Sequence, residues 1–187
     1  MTSPTLLKPF EQPAYLKRCH NIAKALEYAL PWGMIESILD LGCGSGAVGG
    51  HFVKNGNRLT FVDGRQEHVE ELWRRGIPAV QHDVQNPLPP ECRVDLVLCL
   101  GLLYHSENPQ QILLNCAQVA PIIAVETLCM DQEGYYCLGF EEDTKRNDQS
   151  LDGGCCRFSP SWLERALRRA GYSHIEDISK KVSPVPA

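Results

Sequence analysis

Hydrophobic positions along the chain alternate between two spacings. From 15 to 30, Leu16, Cys19, Ile22, Ala23, Leu26 and Leu30 recur every three or four residues, the spacing of one helix face. Pro31 and Gly33 stop that run. Residues 35–41 then read as a short buried strand that ends in Gly42-Cys43-Gly44-Ser45-Gly46, and a helix follows through Val48, Phe52 and Val53 to Asn55-Gly56. A second strand is predicted over 58–62, a helix over 66–75 with Gly76 as its stop, and a third strand over 77–80. The run VDLVLCL at 94–100 is almost continuously apolar, as a central strand covered on both faces requires. Asn108-Pro109 opens the next helix, with Ile112, Leu113, Cys116 and Val119 on one face, and 122–125 is a fifth strand. Residues 127–158 show no clean period, which in a segment of that length marks a functional loop or a flexible one. Ser159-Pro160 caps a last helix ended by Gly171, and 172–178 is a last strand candidate.

Strands alternating with helices predict a parallel sheet with right-handed crossovers. The expected fold is α/β: a doubly wound, mostly parallel seven-stranded (or six-stranded) sheet with helices on both faces, in three layers. A final strand would be formed by 181–185, and if it is missing, a homodimer is one remedy for the exposed edge. The 187 residues fit one domain: an arm and lid helix at 1–34, a core at 35–126, and an acceptor-recognition segment, last helix and sheet edge at 127–187. Ligands of such sheets sit beyond the C-terminal ends of the strands, where strand order reverses.

Composition narrows the classes. With 43% apolar and 22% charged residues the chain is an ordinary globular one, and its formal charge of -5 gives no basic footprint for nucleic acid. No apolar run approaches the roughly 18 residues that span a bilayer, and the first 13 residues lack the pattern of a signal peptide. The nine cysteines contain no CxxC pair and no zinc spacing, so no metal is expected; most read as reduced, buried residues of a cytoplasmic protein. The vicinal pair Cys155-Cys156 stands out without an assigned role.

Candidate chemistry lies at the predicted strand ends. Gly42, Gly44 and Gly46, with Cys43 between them, let the backbone turn sharply and approach a ligand closely. Gly42, Gly44 and Ala47 also satisfy the dinucleotide pattern GxGxxG/A. Against that reading, Asp40 stands two positions before the first glycine, where a carboxylate repels a pyrophosphate and suits a ligand bearing an ammonium group. Asp63, followed by Gly64, lies about twenty residues on and can accept from a ribose diol, which supports adenosine without choosing between ligands.

The stretch ILDLGCGSG resembles the first motif of class I S-adenosylmethionine-dependent methyltransferases, h-h-D/E-h-G-x-G-x-G with h apolar, and the resemblance extends over roughly 35–126. It implies S-adenosylmethionine as methyl donor and S-adenosylhomocysteine as product. It also implies that Asp83 accepts from the adenine amino group, that the Val84 backbone N–H faces the ring, and that Cys99 or Leu100 meets the ligand's ammonium through a main-chain carbonyl. The run LGLLYHSENP resembles members acting on small molecules, and the N/D-P-P-Y/F motif of those acting on planar nitrogens is absent. The expected activity is methyl transfer to a small-molecule acceptor at oxygen, with RNA methylation, or a non-methylating use of the same ligand, as alternatives. His105 is the candidate base, or else a residue that anchors its loop. Tyr104 beside it, with His20 and Tyr15 on the first helix, are further candidates; Glu126 is expected to face the same crevice, and acceptor recognition is expected in the segment 127–158 with its acidic run 141–143.

Overall fold

In the computed structural model, which describes residues 9–53 and 56–179, five parallel strands form the central sheet. They are β1 (Ser37–Leu41), β2 (Arg58–Asp63), β3 (Ala79–Gln81), β4 (Leu96–Leu100) and β5 (Ile122–Glu126), in the order β3-β2-β1-β4-β5. The order reverses between β1 and β4, which places a crevice above their C-terminal ends. Asp40 of β1 stands opposite Phe61 of β2 and Leu98 of β4, so the ends of all three strands open at one level.

Side-chain alternation along the strands divides the interior into two layers. Leu39, Leu41, Val97 and Cys99 face α4 (Pro109–Val119) and α5 (Pro160–Ala170). Ile38, Leu96 and Leu98 face α1 (Pro13–Ala29) and Phe52 of α2 (Gly49–Val53). Between β2 and β3 runs α3 (Gln66–Arg74), which buries Val69 and Leu72 against the sheet.

Local chemistry fixes the helix ends. Pro13, Pro109 and Pro160 each occupy a first turn, where the missing N–H costs nothing. The Asn108 side chain accepts from the Gln111 N–H at 3.3 Å, and the Ser159 hydroxyl from the Trp162 N–H at 3.2 Å. At the end of α1, the Trp32 indole N–H donates to the carbonyl of Glu27 and to that of Leu26, which also accepts the Leu30 N–H.

The segment without a clean period contains an antiparallel hairpin, β6 (Cys137–Glu141) with β7 (Gly154–Phe158). Its pattern is illegible because β6 is exposed along most of its length, while β7 buries the adjacent residues Cys155 and Cys156. The hairpin stands outside the main sheet, held by a bridge from Cys129 to Phe158 and by Cys156 and Phe158, which enter the α4–α5 layer. The strand expected over 172–178 does not form. Instead Tyr172 turns inward and its hydroxyl donates to the Ala120 carbonyl at 3.3 Å, so the segment packs through side chains rather than through a ladder. The other expected strand, 181–185, lies outside the described residues. Among the described residues no helix is long and apolar enough to cross a membrane, and no group of His, Cys, Asp or Glu is placed to hold a metal ion.

Phe158 is fully buried against Trp162 and ties the hairpin to α5. Truncation in Phe158→Ala should cost about 3–5 kcal/mol of stability, read from urea unfolding.

Candidate functional site at the strand ends

The crevice above β1, β2 and β4 is a cavity of about 430 Å³. Its floor is the turn after β1. Gly42 and Gly44 hold φ angles of 66° and 51°, values that favour glycine, and a Cβ on Gly42 would meet Leu102 at 2.7 Å. The N–H groups of Gly42 and Cys43 donate to the Val62 carbonyl, pinning the turn to β2. Both glycines line the cavity, so its floor there is bare backbone.

Asp63 is a shared acceptor in the site. Oδ2 accepts the Gly44 N–H at 2.8 Å and Oδ1 accepts the Arg65 N–H at 2.8 Å. His68 Nδ1 stands 3.1 Å from Oδ1 but out of line for a hydrogen bond. Burial pushes the Asp63 carboxyl up; the imidazole and the two N–H groups outweigh it and hold the group below the usual carboxylate range. Gly64, Asp83, Val84 and Leu100 continue the same wall. Asp83 accepts from the N–H of Gln85 and from the side-chain amide of Asn86.

At the other end of the cavity, Tyr104 and His105 lie in the short turn after β4. His105 Nδ1 is 2.6 Å from Glu142 Oε2, with the Tyr104 ring tilted against the imidazole at 4.1 Å. Glu142 is mostly buried: it also accepts the Ser150 N–H at 2.8 Å and has Arg157 at 3.5 Å. Burial raises its carboxyl, and His105, the Ser150 N–H and Arg157 together carry it below its ordinary value. The Arg157 guanidinium covers the Tyr104 ring at 5.3 Å, while burial raises the Tyr104 phenol and keeps it neutral.

Two elements close the sides. From α1, Tyr15 and Arg18 reach in, and Arg18 forms an ion pair with Glu126 at the end of β5. From the hairpin, residues 147–152 cross over the Asp63 side, and Leu151 rests on Gly64.

Several sequence candidates lie behind this lining. Asp40 falls on the α1–α2 face of β1, in phase with Ile38, and Oδ2 accepts the Gly49 N–H at 3.1 Å. The Cys43 side chain packs with Phe61 and Leu72, so Cys43 contributes backbone alone. Gly46 shapes the turn, and a Cβ there would meet Phe61 at 2.9 Å. Cys99 is fully buried beside Cys116, leaving Leu100 as the strand-end residue at the cavity. His20 is exposed: the inward face of α1 carries Tyr15, Arg18, Cys19 and Ile22, and His20 falls outside that stripe. Sequence reasoning missed Arg18, Arg65, His68, Gln85 and Arg157, whose residue types carry no distinguishing pattern where they stand, in helices, loops and the strand β7. Glu142 stood out only as one member of an acidic run.

A doubly wound sheet that opens its crevice over an acidic glycine turn, with a second carboxylate at the end of β2, is the architecture of class I S-adenosylmethionine-dependent methyltransferases. The chain belongs to the methyltransferase domain family, which matches residues 11–177. It is 27% identical over 123 residues to a ubiquinone biosynthesis O-methyltransferase of Coxiella burnetii, covering 63% of this chain and 45% of that protein. Its identity to the Rickettsia typhi protein of the same name is 30% over 89 residues, covering 43% and 35%. The chain thus spans less than half the length of these relatives. Among solved structures, the N-terminal domain of EvdMO1 with S-adenosylhomocysteine bound superposes with a TM-score of 0.67 at 25% identity, covering 89% of this chain and 74% of that one. A methyltransferase of Clostridium acetobutylicum shares the fold at a TM-score of 0.59 and 13% identity, covering 81% and 80%.

Burial raises the Asp40 carboxyl to about 7, the Gly49 N–H opposing it only in part. The folded state therefore binds the Asp40 proton more tightly than the unfolded chain does. Stability from this group is complete below about pH 4 and is lost as pH rises through about 7. Relative to Asp40→Asn, the wild-type protein should lose up to about 1.4 kcal/mol per pH unit across that window and level off above it, followed by thermal unfolding.

Proposed function

We propose that the protein transfers the methyl group of S-adenosylmethionine to an oxygen of a small-molecule acceptor, with His105 as general base. The observation that carries this reading is the charge of the cavity wall. Five carboxylates (Asp63, Asp83, Glu142, Asp148 and Asp152) face three guanidiniums and no lysine among the described residues. Each guanidinium is already engaged: Arg18 by Glu126, Arg65 by backbone carbonyls of 144–150, and Arg157 by Glu142 and the Tyr104 carbonyl. Such a wall offers a diphosphate little and suits a cation.

The residues present fit the methyl donor. Gly42 and Gly44 would receive its amino-acid portion on bare backbone, Asp63 its ribose and Asp83 with Val84 its adenine. When bound, the donor supplies a methyl group already activated on a sulfonium. What remains for the chain is to hold the acceptor in line, exclude water and take up the acceptor's proton. The Glu142 carboxylate accepts Nδ1–H of His105, which directs the Nε2 lone pair outward as the proton acceptor. The neutral Tyr104 phenol offers a donor beside it, and α1 with residues 147–152 shields the site from solvent. Methylation at oxygen is also the chemistry named for the Coxiella and Rickettsia relatives.

Calorimetry tests the donor site: S-adenosylhomocysteine should give heat and NAD none, and the reverse result overturns the assignment. Asp63→Asn should raise the dissociation constant for S-adenosylhomocysteine by roughly 10- to 100-fold, since a charge-assisted acceptor is lost. His105→Ala should lower turnover by about 10²- to 10⁴-fold on any hydroxyl acceptor whose product gains one methylene unit in mass, while that constant stays nearly unchanged. Equal turnover in the variant removes His105 from the mechanism.

A further inference from the structure

Arg65 lies outside the glycine turn and outside the His105 pair, yet it is bonded toward both. Its backbone N–H donates to Asp63 Oδ1 at 2.8 Å. Its side chain turns the other way, with Nη2 donating to the carbonyls of Ser150 at 2.8 Å and Gln149 at 3.2 Å. Ser150 is itself almost fully buried, and its N–H donates at 2.8 Å to Glu142 Oε2, the same oxygen that holds His105 Nδ1. An unbroken series of contacts thus runs from the Asp63 carboxylate through Arg65 and Ser150 to Glu142 and the imidazole. The series crosses the cavity along the rim formed by residues 142–152.

We infer that Arg65 is a positioning residue that couples occupancy of the donor site to the orientation of His105. The inference rests on the donor site and the base proposed above. Three features support it. The planar guanidinium reaches two successive carbonyls at once, a geometry that fixes the rim in one register and that an ammonium does not reproduce. The rim has a second anchor on the same side, the Gln85 side-chain amide on Asp152 at 3.0 Å, while Leu151 rests on Gly64. Finally, Glu142 takes its backbone partner from this rim, from Ser150, so the rim's register decides where the carboxylate points. A ligand bearing on Asp63 stiffens the Gly64–Arg65 turn, the turn fixes Ser150, and Ser150 fixes Glu142. The base is then held in its Nδ1–H tautomer when the donor site is filled. A conformational link of this kind requires that the two states of the rim differ in ligand affinity; Arg65, bonded to Asp63 on one side and to the rim on the other, is where that difference would enter.

The groups facing His105 are Glu142 and Arg157 from the hairpin and Tyr104 from its own turn. Substitution at Arg65 leaves all three residues in the chain, so an effect on His105 has to pass through the rim. The test uses the full chain labelled with ¹⁵N in its histidine rings, the His105 signals being identified by their loss in His105→Gln. In the wild-type protein, saturating S-adenosylhomocysteine should move the His105 ring signals toward the Nδ1–H tautomer. In Arg65→Met the ligand should still give calorimetric heat, with a dissociation constant within about fivefold of wild type, while the His105 response falls to less than half. Arg65→Lys, a milder change that keeps the charge but reaches one carbonyl, should give an intermediate response and serves if Arg65→Met does not fold. A response as large as wild type in either ligand-bound variant overturns the coupling and leaves the donor-site reading intact. Absence of heat in the wild-type protein overturns the donor-site reading instead.

Discussion

Asp63 ties together the parts of the molecule that must stay in register. One oxygen holds the N–H of Gly44 in the turn after β1, and the other holds the N–H of Arg65 at the entrance to α3. A carboxylate this deeply buried is costly to keep ionised, and only the density of donors around it makes the charged form the stable one. The glycine turn is therefore braced from the neighbouring strand as well as by its own backbone. The parallel register that sets Leu41 beside Val62 brings the two within reach. Asp40 holds the start of α2 to β1 through the Gly49 N–H, with the opposite electrostatic outcome: one donor does not offset burial. Two aspartates in adjacent strands thus shift in opposite directions because they differ in the partners they meet.

The acceptor side is built on different terms. It depends on a hairpin that belongs to no sheet of the core and that reaches the cavity through Glu142, Arg157 and the crossing residues 147–152. On the proposed reading, the donor half is built from central strands and the acceptor half from a segment outside their sheet. The His105–Glu142 pair spans the division, since His105 comes from the turn after β4 and its carboxylate from the hairpin. Neither half holds the imidazole–carboxylate pair alone.

On the proposed reading, cation placement sets the selectivity of the site. A nucleotide with a diphosphate and a nucleoside with a sulfonium share the same ribose and the same adenine, so a carboxylate at the end of β2 does not tell them apart. What separates them is the charge near the linking group. Here three arginines approach the cavity and each is engaged by the protein, Arg18 and Arg157 by carboxylates and Arg65 by backbone carbonyls. Those arginines hold walls together.

How much of this could be read from the chain follows from the range of the forces involved. Strand and helix order, the caps at Asn108, Ser159 and Gly171, and the glycine turn with its aspartates were legible, because periodicity, capping and positive φ are properties of neighbouring residues. So were Asp63, Asp83, Leu100, Tyr104 and His105 as cavity residues, since a strand end in a doubly wound sheet is a place the topology dictates. The hairpin was not legible: β6 is exposed along its length, and an exposed strand has no apolar alternation to show. Nor was the role of Glu142, 37 residues from His105, or that of Arg65, 85 residues from Ser150, because nothing local marks a side chain whose partner comes from across the fold. The sequence by itself determined which backbone could bend and where the crevice would lie. Only the tertiary structure decided which charges are paired, because pairing depends on distances that chain order does not encode.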